Sequence, residues 1–212
     1  MFTAVEHWWQ RQQQLQKPWQ QQRYIAFDAE MSGLEVKQDQ LLSMGWLTMR
    51  PPVIDYGSAH YHLFSHAELD LKQSPVVHGL LSADFENSSD LRSSLEALAS
   101  ELEGAILLCH NITLDWNFLR RAAKPFGIRF KPLALIDTLR FEYRRMQRQQ
   151  HHIERGSLSL QACRKRYGLP DYNSHHALSD ALACAELFLA QAYRYGATEH
   201  TTTRSLAQVS RR

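Results

Sequence analysis

The chain has 212 residues, 44% of them hydrophobic, which is enough for one well-buried domain, since about 150 residues already bury roughly 68–70% of the unfolded surface. With 24 Lys and Arg against 22 Asp and Glu, a net charge of +2 neither requires nor excludes nucleic acid, so any basic surface must be local, as between Arg140 and Arg166. No apolar run approaches the about 20 residues that span a bilayer, and the Gln- and Trp-rich start lacks a signal pattern, so a soluble, cytoplasmic chain without membrane contact is expected.

Residues 1–23 carry WWQRQQQLQKPWQQQR, a Gln-biased stretch interrupted by Pro18, which reads as an amphipathic helix, a partner-binding arm or a frayed extension. YIAFDAE then has the texture of a short buried strand, and a second apolar run, LLSMGWLTM, follows the turn-like MSGLEVKQDQ. YGSAHYHLF predicts a third strand. Over residues 90–103 the period becomes helical in Leu91, Leu95, Leu98 and Leu102, and AILLCH is a strand ending at Asn111 with a helix behind it. LALIDTLR repeats strand into helix, SLSLQACRKRYG is a helix stopped by Gly168 and Pro170, and HALSDALACAELFLAQAY is a long final helix. Strands first, then strands alternating with helices, predict an α/β fold: a mixed sheet flanked by helices in a single domain over residues 24–195, with 196–212 as a tail. Cys109, Cys163 and Cys184 are far apart, lack paired metal spacing and fall in apolar patterns, so they read as core residues and zinc is not expected.

Four carboxylates fall where apolar residues belong: Asp28 and Glu30 in YIAFDAE, Asp115 in CHNITLDWNFL, and Asp180 in HHALSDA. Desolvating an unpaired carboxylate costs several kcal/mol, so a site gathering four of them needs divalent cations. Alternate residues of a strand share a face, which points Asp28 and Glu30 toward one place. Asp115 heads the row Asp115, Phe118, Leu119, Ala122 on one helix face, with Asn111 as the cap; it is either a metal ligand or simply an acid favoured by the helix N-terminus by about 0.3–1 kcal/mol. In the last helix Leu178, Ala181, Leu182, Ala185, Phe188, Leu189 and Ala192 trace a core stripe from which Asp180 is displaced, onto the row of Ala177, Cys184 and Leu187. His175 precedes Asp180 by five positions, about 140° on a continuous helix, so it belongs on a non-helical lead-in from which a base reaches over a metal site; His176 is its rival. Arg144, Arg145, Arg148, Arg155, Arg164, Lys165 and Arg166 are either phosphate contacts or an ordinary solvated helix surface.

FDAEMSGL, CHNITLDWNFL and HHALSDA, in that order, resemble the three motifs of the DEDDh (DnaQ-like) 3′-to-5′ exonucleases, a group that includes the proofreading epsilon subunit of bacterial DNA polymerase III and ribonuclease T. The resemblance covers residues 24–190, with echoes in VVHGL, LIDTLR and SLSLQACRKRYGLP. It implies a ribonuclease-H-like fold, with Asp28, Glu30, Asp115 and Asp180 holding two Mg²⁺ or Mn²⁺ ions and His175 as general base. It further implies that the backbone of Met31 and Ser32 meets the terminal 3′-hydroxyl, that Leu34 wedges against the last base, and that His78, Asn111 and Leu114 line the nucleotide pocket. The chain departs from the family in carrying Met31-Ser32 where two threonines are usual, which removes a side-chain hydrogen bond at Met31. The implied partner is the 3′ end of a single strand, DNA in preference to RNA, with a polymerase or other protein at the N-terminal arm. Two further readings stand beside this one: an RNA 3′-end trimming enzyme, and a non-catalytic polymerase-accessory module that binds nucleic acid.

Overall fold

The sheet is organised around YIAFDAEM, whose eight residues form β1 (Tyr24–Met31) in a computed structural model that describes residues 4–65, 88–149 and 152–209. On one side lie β2 (Leu41–Arg50) and β3 (Val53–Leu63), successively antiparallel; on the other lie β4 (Ile106–Cys109) and β5 (Ala134–Asp137), both parallel, in the order β3-β2-β1-β4-β5. The antiparallel half needs only turns between strands, whereas a parallel neighbour needs a crossover. Accordingly α2 (Leu91–Leu102) precedes β4, and α3 (Ile112–Ala123) carries the chain from β4 to β5. Then come α4 (Thr138–Arg148), α5 (Leu160–Arg166), α6 (Ala177–Arg194) and α7 (Thr203–Val209), while α1 (Ala4–Gln16) stands in front of the sheet in sequence. This is the mixed five-stranded, helix-flanked α/β domain of ribonuclease-H-like proteins.

Period-two alternation in β1 divides the core in two. Tyr24 and Ala26 face a cluster with Leu47, Met49, Ile106, Leu108, Cys184 and Phe188, whereas Ile25, Phe27, Ala29 and Met31 face one with Trp46, Leu95, Leu98, Leu107 and Phe118. The Tyr24 and Ala26 face is the one α6 covers, and its next two positions are Asp28 and Glu30.

The Gln/Trp-rich segment is an ordered helix rather than a frayed one. Leu15 and Trp19 belong to the same buried cluster as Tyr24 and Phe188, and the Trp19 indole N–H donates to the Thr198 carbonyl at 3.1 Å. Pro18 bridges Thr202, and Thr203 N–H donates to Lys17 O at 3.0 Å, tying the two ends of the described chain together. Cys109, Cys163 and Cys184 are buried free thiols, as their apolar contexts predict. No helix among the described residues is long and apolar enough to cross a membrane.

The pattern on α6 differs from the expected one. Ala181, Ala185, Phe188 and Ala192 of the expected stripe are buried, but so are Ala177, Asp180, Ala183, Cys184, Leu187 and Gln191, while Leu178, Leu182 and Leu189 are only partly buried. The helix packs against β1 and β2 and also against α4 and α5, so its buried face is wider than one stripe, and Asp180 lies within it instead of being displaced from it.

Candidate active site

Asp28, Glu30 and Asp180 converge where the covered face of β1 meets the first turn of α6, with one carboxylate oxygen of each lying within 4.8 Å of the other two. Strand alternation supplies the first two, and helix packing supplies the third. The approach depends on Gly45, which pairs with Asp28 across the sheet. A Cβ at Gly45 would lie 2.4 Å from the backbone nitrogen of Leu178, so α6 sits directly on the β2 backbone, a closeness only glycine permits. In sequence Gly45 reads merely as one residue of an apolar run.

His175 lies on the non-helical lead-in, as expected, in the left-handed conformation (φ 66°), and its backbone N–H donates to Asp180 Oδ2 at 2.9 Å. Its ring is exposed at the mouth of a cleft of about 590 Å³ lined by Asp28, Glu30, Met31, Leu34 and Asp180. His176 is engaged elsewhere: its ring stacks on Tyr61 of β3 at 4.3 Å and its Nδ1 lies 3.5 Å from Ser179 Oγ. The two neighbours are thereby separated into a cleft residue and a packing residue.

Asp115 is buried in the first turn of α3 but outside the three-carboxylate group. Burial and the nearby Asp137 push its carboxyl well above the usual carboxylate range, which means that desolvation outweighs any benefit from the helix N-terminus. The side chain of Asn111 makes no capping bond, contrary to expectation, and Asn111 does not line the cleft. Its backbone is left-handed (φ 73°), and the cap comes instead from Asp137 at the end of β5, whose carboxylate accepts from Asn111 N at 3.0 Å and Ile112 N at 3.3 Å. Thus LIDTLR fastens the second motif in place. Leu114 does line the cleft, and Leu34, 75% exposed, projects at its edge. Ser32 also lines it, but its N–H donates to Gln40 O at 2.9 Å and its hydroxyl bonds Asp39, so neither donor is free for a substrate hydroxyl. His78 lies outside the described residues.

Two cleft residues had no sequence signal. The Tyr172 hydroxyl hydrogen-bonds the Asp180 carboxylate, and the Arg164 guanidinium sits 4.9 Å over its ring. His110 bonds Thr138 Oγ1 and the Leu158 carbonyl, each at 2.8 Å, pinning the segment that brings Ser159 and Leu160 to the cleft; burial lowers its pKa, consistent with a neutral ring. Only the single aromatic in GLPDYN and the histidine beside Asn111 hinted at either.

The electrostatics identify what the site lacks. Burial is the main reason that the Asp28 carboxyl is held well above its ordinary value, and the charges of Asp115, Asp180 and Glu30 add to it. Asp180 is likewise raised, chiefly by burial, although Tyr172 and the His175 N–H pull the other way. No Lys or Arg lines this cleft among the described residues. An all-oxygen set of this kind fits hard divalent cations such as Mg²⁺ or Mn²⁺.

The arginine-rich segment does not form the broad basic surface its sequence allowed. Arg145 and Arg166 each lie 2.7 Å from the fully buried Glu142, and Arg164, itself buried, is 2.7 Å from Glu186. Arg148 packs over Tyr195 while staying exposed, as are Arg155 and Lys165.

Residues 25–188 match the family model described as exonuclease (RNase_T). The chain is 25% identical over 169 residues to a PolC-type DNA polymerase III of Thermotoga petrophila and 22% identical over 191 residues to the 3′-5′ exonuclease DinG of Staphylococcus saprophyticus, covering 78% and 89% of itself. It spans only 12% and 20% of the length of those relatives. Among solved structures it is similar to Escherichia coli exonuclease I in complex with a dT13 oligonucleotide, with a TM-score of 0.67 and 15% identity over 83% of this chain and 42% of that one. With its sheet order, its three converging carboxylates and a family match across most of its length, the chain belongs to the DEDDh exonuclease family.

Proposed function

We propose that the chain is a metal-dependent 3′-to-5′ exonuclease that removes nucleoside 5′-monophosphates from the 3′ end of single-stranded DNA. The observation that carries this reading is the meeting of Asp28, Glu30 and Asp180 within 4.8 Å in a cleft that also holds His175 and that no Lys or Arg lines among the described residues. Asp115, whose charge bears on Asp28, completes the oxygen set for two ions. Bound divalent ions supply charge neutralisation at the phosphate and an acidified water. His175, whose backbone N–H is held by Asp180, would take the proton from the attacking water. A P–O bond to the water oxygen would form as the P–O3′ bond to the penultimate nucleotide breaks, the leaving oxygen taking a proton from solvent to become the new 3′-hydroxyl. Leu34 packs against the terminal base, Met31 and Ser32 flank its sugar, and Leu114 borders the pocket. Asn111 acts through the turn that sets Leu114, since its carbonyl accepts the Leu114 N–H at 3.0 Å.

DNA is favoured because the relatives include a DNA polymerase and the structural neighbour holds a DNA oligonucleotide. A polymerase partner docking on α1, whose Trp8 and Trp9 are 56% and 58% exposed, belongs to the same reading.

The test is a time course on uniformly labelled DNA and RNA strands with Mg²⁺ or Mn²⁺, with EDTA, and with a 3′-phosphate block. Mononucleotides from the first time point, lost with EDTA, with the block and in His175→Ala and Asp180→Ala, are expected. Internal fragments, or full activity in Asp180→Ala, would refute the assignment, and faster release from RNA would make the chain an exoribonuclease.

A further inference from the structure

On the other side of the loop that carries Leu34 lies a second, larger concavity of about 880 Å³, formed by the outer face of α3, the turn after it and the loop residues Val36 and Lys37. Its lining includes Lys37, Arg120, Lys124 and Arg129, all exposed, and no acidic side chain. Among the described residues none of these four forms an ion pair. This contrasts with Arg145, Arg164 and Arg166, which are neutralised internally. The floor holds an aromatic pair, Trp116 and Phe130, with ring centroids 5.9 Å apart and planes tilted by 53°. In a chain whose net charge is only +2, four unpaired cations beside aromatic faces are a local concentration of positive charge.

We propose that this groove holds the single strand upstream of the 3′ end lying in the cleft, its cations meeting phosphates and its aromatic floor the bases. The inference rests on the exonuclease reading for its substrate. Cleft and groove share two walls. Leu114 of α3 lines the cleft, and Asn117, one turn further along the same helix, lines the groove; Leu34 and Lys37 belong to one loop. That loop is fastened to α3 by Arg121, whose guanidinium donates to the carbonyls of Val36 and Asp39, so the two walls move together. From Leu114 to Lys124 the path is about 15 Å at 1.5 Å per residue, room for about four nucleotides at about 3.4 Å each. Exposed cations supply salt-dependent affinity without reading sequence, and aromatic faces accept any base, so the groove fits a single strand of any sequence.

The experiment compares wild type with Arg120→Ala/Lys124→Ala/Arg129→Ala, all exposed positions, on a dinucleotide and on a long single strand. Fluorescence anisotropy with a labelled long strand in EDTA at several salt concentrations accompanies the kinetics. The triple variant is expected to raise KM for the long strand by about tenfold or more, to lower the salt slope of binding by about 2, and to leave dinucleotide hydrolysis unchanged. An unchanged long-strand KM and salt slope would overturn the groove, as would an acidic peptide that displaces the strand from wild type at lower concentration than a second strand does. If wild type hydrolysed neither substrate but bound the long strand through these three residues, the exonuclease reading would fall and the groove would stand.

Discussion

Two buried acidic sites lie on α4 and beside α6, and they are treated in opposite ways. Glu142 is wholly buried, yet Arg145, Arg166 and Tyr167 hydrogen-bond to it, and although burial works to raise its pKa these donors bring it below the ordinary value. Asp28 and Asp180 meet Glu30 in a cleft that no Lys or Arg lines among the described residues, and the carboxyls of Asp28 and Asp180 are both raised. Arginines within the fold neutralise the first acid, whereas burial holds the Asp28 and Asp180 carboxyls above their ordinary range at the edge of an open cleft. The difference teaches that burial of an acid by itself marks nothing; raised carboxyls gathered at an open cleft are what single out a candidate site.

The sharpest way to break this contrast is Asp28→Asn, which removes repulsion and ligand together. Turnover should fall by about 10³-fold, the scale at which one electrostatic element of a site acts. The metal-free protein should nevertheless become more stable, and its stability less dependent on pH. A carboxyl whose folded pKa lies above its unfolded value binds more protons when folded, so stability is lost as pH rises above the ordinary carboxylate range. Thermal melts in EDTA from about pH 5 to about pH 8 should show a wild-type midpoint that declines and a variant midpoint that declines less. A variant melting below wild type at the upper end would show that the three acids are not in conflict.

Gly45→Ala tests the packing that creates the open site. A methyl 2.4 Å from the Leu178 backbone forces α6 outward and carries Asp180 away from Asp28. Misplacement by about 1 Å costs on the order of 10²-fold in rate, and overpacking about 1–3 kcal/mol, so steady-state turnover should drop more than the melting midpoint implies. This residue also shows where sequence reading stops. The shared face of Asp28 and Glu30 follows from strand period, and the lead-in position of His175 from helical geometry, both of them local rules. Gly45, Tyr172 and the Asp137 cap act across 133, 8 and 26 positions, on Leu178, Asp180 and Asn111, where no period links the partners. The arginine run stays open between two readings partly for the same reason: Glu142 and Arg145 are a local i, i+3 pair, but Arg166 reaches Glu142 and Arg164 reaches Glu186 from other helices.

Glu142→Gln probes the closed site. Removing one member of a fully buried pair costs about 3–5 kcal/mol, but the Arg145 and Arg166 side chains each remain 28% exposed, so about 2 kcal/mol is expected from denaturant unfolding. Turnover per folded molecule should be unchanged, the reverse of the Asp28→Asn outcome. Equal losses of stability and turnover would mean that the two acidic sites are coupled.

The smallest effect separates positioning from ligation within the open site. Tyr172 donates to Asp180 and is itself held under Arg164, so Tyr172→Phe keeps the ring and its cation contact while removing one hydrogen bond. Without that donor the Asp180 carboxylate loses a group that favours its charged form and one constraint on its rotamer. Removal of a partner behind a ligand typically costs about 10–100-fold in metal affinity or activity, and with the His175 N–H still in place the lower figure is expected. If Tyr172 only orients Asp180, the Mg²⁺ concentration at half-maximal activity should rise about tenfold, while kcat at saturating Mg²⁺ stays near wild type. A fall in kcat that saturating metal does not restore would place the hydroxyl on the substrate instead, and would move Tyr172 from support of the carboxylates into the reaction itself.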